Sequence, residues 1–293
     1  MKTFIIINPV SGARHMENAA LERAALINFP DAQGAFTKHA GHATELAAQA
    51  VKDGYERVIV AGGDGTINET AKALVGTQTA LGIVPKGSGN GLARELGMPL
   101  LYEEAWTALQ KAVPVACDVG QANGEYFFNL AGVGIEAEIA RQFAEHGKHG
   151  ARGKWPYFKL GAKAVFTYQP KTLRVRYNGK DEILTPLTLV FANGTQYGSN
   201  FKIAPRANLS DGLFDMVEVL PVSKFKLALA APTFFSKTFR PVEVTRTQRT
   251  AEAVINYDGE IVYHLDGEPK VTQNELKISL LPKALRLLVP QGY

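Results

Sequence analysis

Residues 57–74 read RVIVAGGDGTINETAKAL, and the order of residue types in this stretch decides the fold. Val58, Ile59, Val60 and Ala61 form an apolar run long enough for one buried strand. Gly62, Gly63, Asp64, Gly65 and Thr66 break that run, and residues 67–74 resume with helix-compatible side chains. A strand feeding a glycine-rich turn that opens a helix is a seat for phosphate. Its backbone N–H groups are unshielded by Cβ, and the helix N-terminus adds positive partial charge. The stretch points to a nucleoside triphosphate. A tight β–α turn capped by Asp64 or Thr66 is the other reading of the same five residues.

Outward from this stretch the pattern repeats. Residues 3–7 are a β-branched and aromatic run ending at Asn8-Pro9-Val10-Ser11-Gly12, a second small-residue turn after a strand. Residues 81–84 form a further strand ending at Pro85-Lys86-Gly87-Ser88-Gly89-Asn90-Gly91. Helical patterns cover residues 17–28, 42–52, 92–96 and 103–111, and a short strand covers 34–37. Apolar runs alternating with helices predict an α/β domain with a mostly parallel, helix-covered sheet, and ligands bind at the carboxyl ends of such strands. Past Pro114 the character changes. Strands are expected at 117–120, 125–130, 173–177, 187–192, 214–220, 242–247, 260–265 and 276–281. Asn178-Gly179, Asn193-Gly194, Asp211-Gly212 and Asp258-Gly259 punctuate them as turns. This half reads as an antiparallel β-sandwich with a helical insertion over 136–167. The expected domains are 1–120 with a C-terminal return of 282–293, and 121–281.

Composition narrows the class. The chain has 293 residues, 46% hydrophobic and 20% charged, with formal charge +4 and pI near 9.0. That mild basicity permits contact with anionic phosphate or membrane without demanding nucleic acid. One cysteine, Cys117, excludes an internal disulfide framework and fits a reducing compartment. The apolar start, MKTFIIINPVSG, is too short for a signal peptide or a membrane span, and no later run reaches spanning length. A cytoplasmic protein with at most peripheral membrane attachment is expected. The six histidines show no metal-ligand spacing in sequence.

Known nucleotide motifs are then excluded in turn. GSGNG at 87–91 is followed by Leu92 where a dinucleotide fingerprint needs glycine or alanine. There is no GxxxxGK[ST] stretch and no HRD or DFG set, so P-loop NTPases and protein kinases fall away. What remains is three small-residue loops, NPVSG, GGDGT and PKGSGN, each following a strand.

This ordered set resembles the diacylglycerol kinase catalytic-domain family, which includes soluble bacterial lipid kinases and the sphingosine and ceramide kinases. The likeness continues through TKHAGHA at 37–43, CDVG at 117–120, NLSDGLFD at 208–215, LDGEP at 265–269 and the closing LLPKALRLLVP. It implies ATP held by Asn8, Pro9, Val10, Ser11, Gly12, Thr37, Gly62, Gly63, Asp64, Gly65, Thr66, Ile67, Asn68 and Ser88. It further implies Mg²⁺ at Asp211 and the backbone carbonyls of Asn208 and Leu213, Glu268 as general base, and an active site in the cleft between the domains. Asp64 is expected to reach phosphate-bound metal, and Asp118 resembles an acid of the metal–water network. Carboxylate and carbonyl oxygen suit a hard cation, and phosphoryl transfer rests on positioning and charge neutralisation. The implied activity is transfer of the ATP γ-phosphate to a hydroxyl of a membrane lipid. NAD kinase, which shares GGDGT, and a catalytically inactive binding protein on the same fold are the alternatives.

Three details qualify the resemblance. Asp258-Gly259-Glu260 repeats the DGE of 266–268, and either copy has hairpin-turn chemistry. The soluble bacterial members usually carry an aspartate where this chain has Gly91, and the run around Asn90 is closer to the sphingosine kinase version. Glu138 falls near an acidic head-group contact of the sphingosine kinases. Finally, Arg141, Lys148, Arg152, Lys154, Lys159 and Lys163 interleave with Trp155, Tyr157, Phe158 and Phe166, opposed by Glu145. Basic and aromatic residues so mixed suit an anionic bilayer surface.

Overall fold

Runs of β-branched residues set the first sheet: β1 (Thr3–Ile7), β2 (Gln33–Phe36), β3 (Arg57–Gly62) and β4 (Ala80–Pro85). In the computed structural model, which describes residues 2–12, 18–147, 167–198, 201–223 and 244–291, these strands are parallel in the order β2-β1-β3-β4. Nearly every residue of β3 and β4 is buried, as expected of strands covered on both faces. The helices are α1 (Asn18–Asn28), α2 (His42–Lys52), α3 (Asp64–Leu74), α4 (Gly91–Glu95) and α5 (Tyr102–Gln110). α3 buries Ile67, Ala71 and Leu74, spaced by four and three, on one stripe. Burial of a side chain such as Ile67 or Leu74 is worth about 1.5–3 kcal/mol. α2 buries only alanines on its inner face, Ala43, Ala47 and Ala50, so it packs close.

The chain runs from β1 outward to β2, then back across β1 to β3. The winding therefore reverses beside β1, which opens a crevice at the carboxyl ends of β1 and β3. These elements belong to a unit formed by Met1–Val119, Gly198–Asn200 and Pro282–Tyr293. The last strand supplies its fifth parallel member, with Arg286 and Leu287 opposite Ala80 and Leu81.

The second unit comprises Gly120–Tyr197 and Phe201–Leu281. Its strands are the end of β5 (Val113–Ala122), β6 (Glu125–Phe127), β7 (Leu130–Gly134), β8 (Leu173–Tyr177), β9 (Lys180–Leu184), β10 (Thr188–Ala192), β11 (Phe214–Val219), β12 (Thr245–Thr250), β13 (Glu252–Leu265) and the first part of β14 (Glu268–Val289). The main order is β12-β11-β10-β7-β13-β14, with β8 beside β13 and β9 beside β8, antiparallel within the unit. Alternation along β10 feeds two cores. Leu189 and Phe191 join Phe127, Phe214 and Met216, whereas Val190 and Ala192 join Leu130, Ile203 and Val217. Helix α6 (Ile135–Gly147) follows β7 and opens the expected insertion; the remainder of that expectation, 148–166, lies outside the described residues.

Several boundaries differ from the sequence expectation for physical reasons. α3 starts at Asp64 because Gly63, in extended backbone, serves as N-cap and the first helical turn tolerates Gly65. Residues 125–130 divide into β6 and β7. Asp258-Gly259 is no hairpin. It lies within the 14-residue β13, at a register irregularity between Asn256 and Glu260 that accommodates Gly259 at φ 123°. The terminal strand is a single 22-residue β14 rather than a short segment at 276–281. β9 escapes the sequence reading because KDEIL carries too little apolar periodicity, although the Asn178-Gly179 turn, with both residues at positive φ, pairs it with β8.

Candidate active site

Three loops leave the carboxyl ends of β1, β3 and β4 and mesh where side chains are absent. The Asn8 side-chain amide donates to Thr66 Oγ1 at 2.8 Å, tying the first loop to the start of α3. Asn8 Oδ1 accepts the Val10 N–H at 3.0 Å, and Ser11 Oγ donates to the Asn8 carbonyl at 3.0 Å. A Cβ at Gly12, which has φ 90°, would stand 2.6 Å from the Lys86 carbonyl oxygen. One at Gly87 would stand 3.0 Å from Gly63 Cα. Larger residues at these positions would force the loops apart.

The polar groups divide into a clamp and an open helix edge. Asp64 belongs to the clamp: its carboxylate accepts the N–H groups of Asn90 at 2.9 Å and Gly91 at 2.7 Å. Asn90, in left-handed backbone at φ 52°, accepts the Gly87 N–H through Oδ1 and returns Nδ2 to the Gly87 carbonyl. The Gly91 position that lacks the family acid thus contributes a backbone donor to Asp64. The edge is the N-terminus of α3, where Gly63 provides no side-chain cap. Beside it, Lys86 Nζ donates to the Asn8 carbonyl at 3.1 Å, and partial burial lowers its pKa from the ordinary lysine value. Sequence reasoning passed over Lys86 and Asn90, although both stand inside the quoted PKGSGN loop.

The other implied nucleotide contacts differ in what they can offer. Thr37 continues the β1–β2 pairing through its N–H to the Ile7 carbonyl at 2.9 Å. Ile67 is fully buried in the core, so only its backbone is available to a ligand, and Asn68 is buried as well. Val10 is 79% exposed, Pro9 is half-buried, and Gly65 and Ser88 are exposed.

In the second unit, Asp266 and Gly267 take φ 51° and 89° and form a two-residue hairpin that joins Leu265 to Glu268. The Asp266 carboxylate accepts N–H groups from Phe128 at 2.8 Å, Asn129 at 2.8 Å and Leu130 at 2.9 Å. Burial pushes its carboxyl up, against the pull of these three donors. Asp266 is therefore the anchor of the turn, and Glu268 is its exposed carboxylate. Behind the turn, buried His264 accepts the Gly267 N–H at Nδ1, 3.3 Å, and presents Nε2 to Glu136 Oε1 at 3.5 Å. Tyr197 OH donates to Glu136 Oε2 at 2.7 Å, and a Cβ on Gly132 would stand 2.1 Å from Glu136 Oε1. No spacing in the sequence links Glu136 to His264.

Comparison with known proteins decides the family. The diacylglycerol kinase catalytic domain matches residues 2–122, and the YegS C-terminal NAD kinase beta sandwich-like domain matches residues 129–289. The chain belongs to the diacylglycerol kinase catalytic-domain family. A probable YegS-like lipid kinase of Chromohalobacter salexigens is 31% identical over 87% of this chain and 83% of its own. A diacylglycerol kinase of Mycobacterium tuberculosis is 29% identical over 99% and 96%. The structure of a diacylglycerol kinase from Bacillus anthracis has the same fold, at TM-score 0.75 and 21% identity over 99% of this chain and 97% of that one. Its relatives make this chain an enzyme of a phosphotransferase family.

For this lipid kinase family member, the loop implied to hold Mg²⁺ has polar partners within the chain. Asp211 is ion-paired through Oδ2 with Arg249, and its Oδ1 accepts the Leu213 N–H at 3.2 Å. Asn208 turns its side-chain oxygen to the Ser210 N–H and hydroxyl, both at 3.0 Å. The oxygen types suit a hard cation, while the Asp211 carboxylate meets the Arg249 guanidinium. Asp118 accepts the Lys283 N–H at 2.8 Å. Glu138 is held by Arg141 and Gln142. Despite some burial, these donors keep its carboxyl below the usual range. Arg141, taken as part of the basic patch, also faces Glu260 at 3.7 Å.

One group of histidines is brought together by the fold. Ligand atoms of His39, His42 and Glu45 lie within 4.8 Å of one another. His42 Nδ1 accepts the Lys38 N–H at 3.1 Å, so the neutral ring carries its proton on Nε2 and has no second free lone pair. Among the described residues, no helix is long and apolar enough to cross a membrane.

Proposed function

We propose that this protein transfers the γ-phosphate of MgATP to a hydroxyl of a membrane lipid. The observation that carries this reading is the meshing of NPVSG, GGDGT and PKGSGN around the uncapped N-terminus of α3, with Lys86 alongside. Backbone N–H groups from Gly63 to Thr66 face the phosphates, and Asn8, Ser11, Thr37, Asn68 and Ser88 complete the nucleotide contacts. Lys86 adds a cation whose charge burial disfavours until an anion arrives. The magnesium enters as part of the nucleotide substrate and neutralises phosphate charge.

Glu268 accepts the proton of the lipid hydroxyl as its oxygen attacks the γ-phosphorus and ADP departs. A general base of this kind contributes ~10²–10⁴-fold. Asp266 fixes the turn that carries it. The acceptor hydroxyl is presented to Glu268, and the basic and aromatic segment from Arg141 to Lys163 docks on anionic lipid.

The deciding assay is transfer from labelled ATP to diacylglycerol, phosphatidylglycerol, sphingosine, ceramide and polyprenol in turn, with NAD as a further acceptor. Transfer to a lipid that falls at least ~100-fold in Glu268→Ala supports the reading. Phosphorylation of NAD alone establishes the NAD kinase alternative, and ATP binding without any transfer establishes a binding protein. Charge reversal at Lys148, Arg152 and Lys154 should weaken binding to anionic vesicles, and unchanged binding would remove the membrane role of that segment.

A further inference from the structure

The loop over residues 208–215 carries two carboxylates and a cation of its own. In the β11–β12 ladder, Asp215 stands directly opposite Arg249, so both side chains leave the same face of the antiparallel pair. From there the guanidinium reaches Asp211 Oδ2 across the Asp-Gly turn, while its Nε lies 3.6 Å from Asp215 Oδ1. Asp215 is buried, which pushes its carboxyl up, and Arg249 pulls it back down. Arg249 sits on β12, at the end of the strand order, with its side chain 51% exposed. The long stem therefore reaches both acids without itself being buried.

We infer that Arg249 is a built-in cation that holds the 208–215 loop closed against β11, in the place where the family resemblance puts a divalent ion. The remaining groups agree with this. Each Asp211 oxygen already has a partner, Arg249 on one and the Leu213 N–H on the other, and the Asn208 side-chain oxygen is turned to Ser210. A magnesium ion requires near-octahedral oxygen at about 2.0–2.1 Å, and here it would have to displace a guanidinium of like sign. An arginine fork suits a pair of carboxylates because its donors are fixed in one plane and its charge is permanent. The loop is thereby independent of divalent metal, whatever acceptor the enzyme phosphorylates.

The test uses the full-length, nucleotide-free protein. Its melting temperature is measured in EDTA and in millimolar MgCl₂, and Mn²⁺ binding is measured by electron paramagnetic resonance. The wild type should melt at the same temperature in both media and show no Mn²⁺ site that depends on Asp211. Arg249→Met should melt lower in EDTA and regain stability with Mg²⁺, because Asp211 loses its ion-pair partner and Asp215 retains only the weaker pull of Arg206. Adding Asp211→Asn to that variant should abolish the regain. Arg249→Lys should stay insensitive to Mg²⁺. A wild-type Mn²⁺ site lost in Asp211→Asn would overturn the inference, as would Arg249→Met melting like the wild type in EDTA. Should Arg249→Met not fold, the wild-type and Asp211→Asn titrations decide alone.

Discussion

Replacing Asp64 with asparagine separates two roles that the GGDGT loop assigns to one side chain. The carboxylate receives the N–H groups of Asn90 and Gly91 at 2.9 and 2.7 Å, and both of those residues are buried. Asparagine keeps one acceptor oxygen and turns an NH₂ toward the other donor. Hydrogen bonds to a charged group are worth about 1.5–3 kcal/mol, and a buried donor left unmatched costs about 1–3 kcal/mol. With one bond lost and the other reduced to neutral strength, the net loss is about 2–4 kcal/mol. At roughly 2–4 °C per kcal/mol for a domain of this size, the nucleotide-free protein should melt roughly 5–15 °C lower. The assay is thermal unfolding followed by circular dichroism, run beside phosphate transfer from ATP. Transfer should fall as well, because Asn90 organises Gly87 in the third loop. Lost transfer at an unchanged melting temperature would refute the clamp and return Asp64 to a direct role on phosphate or its metal.

Lys86→Met should raise the KM for ATP about 10–150-fold, matching the loss of one charged contact of ~1.5–3 kcal/mol, without lowering the melting temperature of the empty protein; an unchanged KM would remove Lys86 from the phosphate site. Glu218→Gln tests a burial penalty. Burial raises the Glu218 carboxyl despite Arg246, so the folded state binds its proton more readily than the unfolded one. The wild type then loses stability as pH rises from the ordinary glutamate range near 4.3 through the raised value, and the loss is constant above it. The melting temperature of the glutamine variant relative to wild type should be higher at pH 7 than at pH 4, and a pH-independent difference would contradict the sign. Cys117 is buried with its pKa pushed up to about 12, by burial first and by Asp118 second. Its thiol should resist alkylation at pH 8 until the protein unfolds, so rapid labelling of the folded protein would contradict that burial.

Much of the first unit is legible because its signals are local. Val58 to Ala61 read as a strand and residues 67–74 as a helix from their own side chains, and three small-residue loops after strands announce the loop cluster at the carboxyl ends of β1, β3 and β4. The start of α3 is less legible, since nothing in GGDGT says which glycine is the N-cap. Lys86 is harder still. Its importance comes from where its ammonium lands, on the Asn8 carbonyl, 78 residues away in sequence. The same holds for Arg249, whose partners follow from the β11–β12 register and from no pattern near residue 249.

The two Asp-Gly pairs show how far a local signal reaches. Both 258–259 and 266–267 carry the same hairpin dipeptide before a glutamate. At 258 the strand continues, because the residues on both sides, Asn256 and Glu260, stay paired with β14 and the extra residues are absorbed between them. At 266 the chain reverses, because three N–H groups over residues 128–130 converge on one carboxylate. Those donors sit where β6 ends and β7 begins, more than 130 residues earlier in the chain. The break between β6 and β7, which the sequence reads as one strand, is what turns three backbone donors toward Asp266. A continuous strand would have spent those donors on ladder bonds. The exposed position of Glu268 thus depends on an interruption at Asn129, and the acid most visible in the motif owes its place to one that looks like an ordinary turn residue.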